Sequence, residues 1–193
     1  NYIPAPYSIY EGIAKLLPGS LLTVSLQQRE PKVWAYWLGA EVAKSGVANV
    51  FVGSAGQAVD ELETLLKDAV RKQMMADVPL GAFLSGGVDS SAIVALMQAQ
   101  SSQPLKTFTI GFNEEGYNEA VHAKAVAKHL GTDHTELYVT AEQVRAVIPL
   151  LATLYDEPFS DSSQIPTFLV SQLARQHVTV SLSGDAGDEL FCG

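Results

Sequence analysis

Residues 83–91 read FLSGGVDSS, and the fold is decided by how this stretch is read. A run of apolar residues ends in two glycines, and an Asp and two Ser follow at once. Gly86 and Gly87 permit positive φ and let the main chain approach a ligand closely. Ser85, Ser90 and Ser91 add hydroxyl donors. The helix that opens near Asp89 offers its free N–H groups to an anion. The Lys of an ordinary nucleotide-triphosphate loop, G-x-x-x-x-G-K-S/T, is missing. Asp89 repels a phosphate unless Mg²⁺, held by an Asp and phosphate oxygens together, removes the conflict. The simpler alternative is a glycine turn with Asp89 or Ser90 as a helix cap; the complete string after an apolar strand weighs against it.

Around this loop the chain alternates short apolar runs with amphipathic stretches. Val59, Leu62, Leu66, Ala69 and Val70 recur at helical spacing to about Met75, and Pro79 stops that helix. Leu80–Leu84 is strand-like and Asp89–Gln100 helical. Thr107–Phe112 reads as a strand, and Asn118–Leu130 as a helix closed by Gly131. Thr135–Val139 is a strand, Ala141–Tyr155 and Pro166–Gln176 are helical, and Val178–Leu182 is the last strand. Strand–helix alternation predicts βαβ units and a parallel sheet. GAFL and VTVSL lack polar alternation, as expected where helices cover both faces.

Upstream the pattern is weaker. Leu21–Val24 and VWAYW (33–37) read as strands, too little for a core of their own. Residues 39–56 hold four Gly among small neighbours and suit a linker. The predicted organisation is a remnant over 1–38, a linker over 39–56 and an α/β domain over 57–193. The chain starts at Asn1 without Met and stops at Gly193 directly after a site-like turn, so it reads as a fragment.

The net charge of −9, from 21 acidic and 12 basic residues, argues against a broad nucleic-acid face. A polyanion such as ATP then has to be held locally, by N–H groups, helix N-termini and metal ions. The single cysteine, Cys192, allows no internal disulfide and fits a reducing compartment. No apolar run approaches the roughly 18 residues of a membrane span. His122, His129, His134 and His177 match no standard zinc spacing and read as structural or surface residues.

A second loop, SLSGDAGDELF (181–191), again puts a strand before a Gly-rich turn. Asp185, Asp188 and Glu189 fall within five residues, which is electrostatically costly unless a cation or protons share the site. A solvated acidic turn capping a final helix is the alternative; the last-strand position argues against it. Asp156, Glu157 and Asp161 either face the same site or cap helices.

SGGVDSS resembles the PP-loop of the N-type ATP pyrophosphatases, which cleave ATP between the α and β phosphates. SGDAGDELF is similar to the S-G-D/E-x-x-D-E-L/V-F motif of the asparagine synthetase family and its relative β-lactam synthetase. LKTFTIGF (105–112), NEAVHAKAVAKHLGTDHTEL (118–137), DEPFSDSSQIPTFLVSQLAR (156–175) and YSIYEGIAKLLPGSLLTV (7–24) also resemble that family, the last at the end of its glutaminase domain. The resemblance implies an adenine nucleotide alpha hydrolase-like α/β fold behind a short β remnant of the glutaminase domain.

By matching position, the resemblance implies that Leu84 and Ile110 line the adenine or ribose pocket and that Ser183 and Gly184 contact the adenylate. Ser85, Gly86, Gly87, Asp89 and Ser90 would surround pyrophosphate, Asp89 and Asp188 would hold Mg²⁺, and Asp185 would take the acid position. The implied reaction is attack of an aspartate carboxylate on ATP to give β-aspartyl-AMP and pyrophosphate, then attack of glutamine-derived ammonia to give asparagine. A Lys from further along contributes in the family. ATP, aspartate and ammonia are the implied small-molecule partners, with no nucleic acid or membrane, in the cytoplasm and as a homodimer of the full-length protein. Cys192 cannot be the N-terminal glutaminase nucleophile and reads as a small packed residue. Residues 1–193 alone are therefore expected to hydrolyse no glutamine and to show little synthetase activity. A relative that adenylates another carboxylate, or a non-catalytic ATP-binding relative, are the alternatives.

Overall fold

The computed structural model describes residues 2–112 and 118–191. They divide into two compact units. One comprises the described residues up to Ala58 with Leu151–Asp161, and the other Val59–Leu150 with the described residues from Ser162 onward.

The second unit is built on a parallel sheet. Its strands are β3 (Leu80–Phe83), β4 (Lys106–Phe112), β5 (Asp133–Val139) and β6 (Val180–Leu182), in the spatial order β5-β4-β3-β6. Phe83 pairs with Phe108, Lys106 with Asp133, and Ala82 with Leu182, each in parallel register. The helices are α2 (Ala55–Gln73, which begins in the first unit), α3 (Val88–Ala99), α4 (Ala120–Leu130), α5 (Ala141–Val147) and α7 (Gln164–Ala174).

Period-two alternation sorts side chains to the two faces of the sheet. Ala82 and Leu84 join Val70 of α2, Val94 and Met97 of α3, and Ala123 and Ala127 of α4 in one buried cluster. Phe83 and Phe108 pack on the other side against Val170, Leu173 and Ala174 of α7. Helices thus cover both faces, as the unalternating strands predict. Leu84, Met97 and Phe108 are fully buried, each contributing about 1.5–3 kcal/mol by leaving water.

Element boundaries shift by a few residues from the expected ones, and one helix breaks. The stretch read as one helix over Ala141–Tyr155 is α5, a 3₁₀ turn at Ile148–Leu150, and α6 (Leu151–Leu154). Pro149 is the cause: it lacks an N–H and its ring collides with the carbonyl four residues back. Gly131 does close α4, at φ 72°.

In the first unit, β1 (Ser20–Thr23) and β2 (Lys32–Ala35) form an antiparallel ribbon, Ser20 opposite Ala35. Residues 39–48, expected within a linker, form the helix α1 (Gly39–Ala48), none of it buried. Segment 151–161 joins this unit through specific bonds. Tyr10 Oη donates to Asp156 O at 2.9 Å, Ile9 N donates to Glu157 Oε2 at 3.2 Å, and Lys15 pairs with Glu157. The Glu157 carboxylate thus binds the N-terminal segment, a role neither expected alternative contained, while Asp156 contributes only its main-chain oxygen.

Candidate functional site

The connectivity of the sheet selects the site. From β3 the chain moves outward through β4 to β5, then returns to the other side of β3 for β6. That reversal places a topological switch point between β3 and β6, where ligands bind beyond the carboxyl ends of the strands. The two loops singled out in the sequence leave those two ends. One runs from Ser85 into α3, the other from Ser183 into α8 (Gly187–Phe191).

The first loop is held by its own hydroxyls. Ser85 Oγ and Ser90 Oγ share a hydrogen bond at 2.8 Å, Ser85 N donates to Ser90 Oγ at 3.2 Å, and Gly87 N donates to Ser85 Oγ at 3.2 Å. Gly86 has φ +84°, and a Cβ there would lie 2.6 Å from Ala123 N and 2.7 Å from His122 Cβ. The loop therefore rests directly on the first turn of α4. The N-cap of α3 is Gly87, with no side-chain cap bond, so Asp89 sits inside the helix and neither it nor Ser90 caps it.

The second loop lies on the first. A Cβ at Gly184 would be 2.6 Å from Ser90 N, and one at Gly187 would be 2.5 Å from Asp89 Cγ. Only a bare main chain fits against the first turn of α3 and the Asp89 carboxylate. Ala186 takes φ 73° to make the turn, and Ser183 Oγ donates to Asp185 Oδ2 at 2.9 Å. Asp185, Asp188 and Glu189 are exposed. Partial burial, and after it the neighbouring Asp188 and Glu189 carboxylates, push the Asp89 carboxyl above its ordinary value. Ionising Asp89 costs more here than in water, a cost that a cation sharing the site would relieve.

Ser85, Gly86, Gly87, Asp89, Ser90, Ser183, Gly184, Asp185 and Asp188 are thus gathered in two touching loops. Ile110 stands apart from them on the wall of a cavity of about 800 Å³ beyond the carboxyl end of β4. Phe112 and Val144 extend its apolar wall, and Glu119 and Arg145 add opposite charges. Sequence reasoning passed over those two charges, because on amphipathic helices they look like any solvated face. Leu84 differs from expectation: at 1% exposure its side chain belongs to the core, so any nucleotide contact it makes comes through main-chain atoms.

The histidines are dispersed. His134 Nδ1 and Thr107 Oγ1 lie 2.9 Å apart, and burial lowers the pKa of this ring. His177 stacks on Phe108, His122 adjoins Gly86, and His129 is exposed on α4. Among the described residues, no group of three or more His, Cys, Asp or Glu is arranged to hold a metal ion, and no helix is long and apolar enough to cross a membrane. Cys192 lies outside the described residues.

The family model for asparagine synthase matches residues 61–193. The provisionally named asparagine synthetase (glutamine-hydrolysing) 2 of Methanocaldococcus jannaschii is 40% identical over 100% of this chain and 36% of its own length. A provisionally named asparagine synthetase (glutamine-hydrolysing) of Mycobacterium tuberculosis is 38% identical over 100% of this chain and 29% of its own. Asparagine synthetase (glutamine-hydrolysing) 1 of Bacillus subtilis is 40% identical over 70% of this chain and 21% of its own. The chain thus spans roughly a third or less of the length of these relatives.

Proposed function

The chain belongs to the asparagine synthase family, and from that premise we propose that it carries the ATP-cleaving half-site of a glutamine-dependent asparagine synthetase. In this reading ATP lies across the β3/β6 switch point with its departing pyrophosphate on the loop of Ser85, Gly86, Gly87, Asp89 and Ser90. The adenosine end extends past Ser183 and Gly184 toward Ile110. An aspartate carboxylate attacks the α-phosphorus, giving β-aspartyl-AMP and pyrophosphate, and glutamine-derived ammonia then displaces AMP to give asparagine. The protein works in the cytoplasm, as a homodimer, with small molecules as its partners.

The observation that carries this reading is the packing of the acidic loop onto the first turn of α3, with Gly187 against the Asp89 carboxylate. A pure anion site has no use for carboxylates. Two of them beside a phosphate loop suit Mg²⁺, which takes one or two carboxylates together with phosphate oxygens. Burial, and after it the carboxylates of Asp188 and Glu189, raise the pKa of Asp89, which is consistent with a cation at the same place. Asp89 and Asp188 would hold the ion, which would neutralise charge on the polyphosphate.

The chain's own groups do the rest. Loop N–H donors and the N-terminus of α3 face the leaving pyrophosphate. Asp185, which accepts from Ser183 Oγ, would take the acid role at the reacting carboxyl group. Neutralisation shared among metal, N–H groups and helix N-terminus explains how the first loop dispenses with a Lys of its own.

The test is exchange of labelled pyrophosphate into ATP by the full-length protein, with a panel of carboxylates. Exchange that depends on aspartate is expected. Exchange with another acid and not with aspartate would move the assignment to a related amidotransferase. Binding of Mg-ATP with no exchange under any acceptor would mean a non-catalytic relative. Glutaminase activity from residues 1–193 alone would contradict the assignment of that step to another part of the protein.

A further inference from the structure

The first loop leans on the start of α4. A Cβ at Gly86 would lie 2.6 Å from Ala123 N and 2.7 Å from His122 Cβ, so a shift of this turn carries the loop with it. Ala120 and Ala123 are wholly buried there, but their methyl groups are too short to tie the helix to anything. The tie comes from β5, at the edge of the described sheet. Lys124, next to Ala123, places Nζ 2.9 Å from Glu136 Oε1, and Tyr138 Oη donates to Glu136 Oε2 at 3.1 Å. Both oxygens of the carboxylate are thereby engaged. The bond from Lys124 outweighs burial and holds the Glu136 carboxyl below its ordinary value, so the tie joins two full charges. Tyr138 and Ala120 also close together over Gly111 of β4, where a Cβ would be 2.8 Å from Tyr138 Cε1 and 2.9 Å from Ala120 Cβ.

We propose that Glu136, through Lys124, positions the first loop: β5 fixes the start of α4, and the start of α4 fixes Gly86. This rests on the phosphate-site reading above and makes Lys124 and Glu136 positioning residues for that site rather than ligands in it. Stability is a poor explanation of the pair. The Lys124 side chain is 70% exposed, and an ion pair with so wet a partner adds little to folding. Its effect is directional. A carboxylate held on one side by Tyr138 and on the other by Lys124 stops α4 from sliding along the sheet. Loop donors that must meet a phosphate at hydrogen-bond distance feel a displacement of a few tenths of an ångström, whereas the alanine contacts of α4 with the core scarcely change.

Binding of inorganic pyrophosphate with Mg²⁺ by the full-length protein, together with amide exchange in the absence of both, tests the tie. Lys124→Met and Glu136→Met should each weaken pyrophosphate about fivefold, a loss of the size that contacting networks carry. The double variant should lose no more than either alone, and Lys124→Arg, which keeps the tie, should bind close to the parent. A change of field alone acts with opposite signs on a polyanion, the Lys124 variant binding it more weakly and the Glu136 variant more tightly; that pattern would overturn the proposal. Exchange at the Gly87 amide, which donates to Ser85 Oγ, should quicken in both single variants while the amides of β4 keep the parent rate. Unchanged exchange at Gly87 would overturn the proposal, and so would faster exchange throughout the sheet with a lower melting temperature, which would reduce the pair to a structural role. Gly86→Ala reports on the underlying reading. If it leaves pyrophosphate binding at the parent level, the phosphate site falls, and the tie between α4 and the loop is then decided by amide exchange alone.

Discussion

The loops after β3 and β6 begin alike and end differently. Each leaves a parallel strand through Ser-Gly and enters a helix. The first ties Ser85 to Ser90 and opens a helix of 12 residues. The second is charged, opens a helix of only five residues, and makes its turn through a non-glycine residue at positive φ. One loop is a cradle tied by its own hydroxyls, with a single carboxylate at Asp89, and the other supplies Asp185, Asp188 and Glu189. An anion and its counter-cation need both, because a cradle alone leaves charge uncompensated and a carboxylate cluster alone repels phosphate. Contact at Gly184 and Gly187 is what makes the two loops one site.

The largest expected effect comes from removing charge at that contact. Asp89→Asn and Asp188→Asn in the full-length protein should each reduce aspartate-dependent pyrophosphate exchange at least about a hundredfold, the scale seen when charge stabilisation is lost at a reacting centre. Circular dichroism should show the fold intact. A near-silent Asp89→Asn would return that residue to a structural role and dissolve the distinction between the loops.

Next in size is the seam itself. Gly184→Ala drives a Cβ toward Ser90 N, so the loops must separate or strain. A melting experiment should show destabilisation of about 1–3 kcal/mol, the usual cost of overpacking. If the loops part freely, stability will hold while exchange activity falls, and the seam will prove to serve function alone.

A third effect concerns pH in the absence of nucleotide and divalent cation. The Asp89 carboxyl is raised in the folded protein, so as pH climbs through the carboxylate range the unfolded chain releases its proton first. The folded state then binds more protons, and stability falls with rising pH. Asp89→Asn removes this component. The variant should gain on the parent as pH rises from about 4 to 7, and Mg²⁺ should narrow the gap by stabilising the parent. A difference that is flat across that range would show that neither burial nor the neighbouring carboxylates raise Asp89.

These loops were legible in the sequence because their chemistry is local. Glycines beside Ser and Asp after an apolar strand describe a turn, a donor set and a charge without reference to the rest of the chain. The parallel sheet was legible for a related reason, since strands buried on both faces carry no polar alternation. Four features were hidden. Pro149 sits in an otherwise helical pattern, so the break into α5 and α6 competes with good periodicity on both sides. The attachment of segment 151–161 to the N-terminal residues depends on Glu157 meeting Lys15 and Ile9, a contact between distant positions that no window contains. Leu84 was read for the loop it introduces, yet two-sided burial of β3 turns its side chain into the core. Glu119 and Arg145 belong to the same class, because only the folded cavity separates them from solvated helix charges.

The smallest effect is the most direct test of how the second loop is built. Ala186 holds φ 73°, a conformation in which an L-residue crowds its Cβ against the following carbonyl at about 1–2 kcal/mol. Glycine removes that cost but brings more freedom to the unfolded chain, worth about 0.5–1 kcal/mol in the opposite sense. Ala186→Gly should therefore stabilise the protein by roughly 0.5 kcal/mol, a shift of a degree or two in melting temperature for a chain of this size. Activity separates two roles for the strain. If the strained turn only connects β6 to α8, exchange activity should stay at the parent level. If it aims Asp188 at Asp89, the relaxed turn should raise the Mg²⁺ concentration needed for half-maximal exchange while the melting temperature still rises. A loss of stability would mean that the loop relieves its strain elsewhere, and the contrast with the hydroxyl-locked first loop would then rest on charge alone.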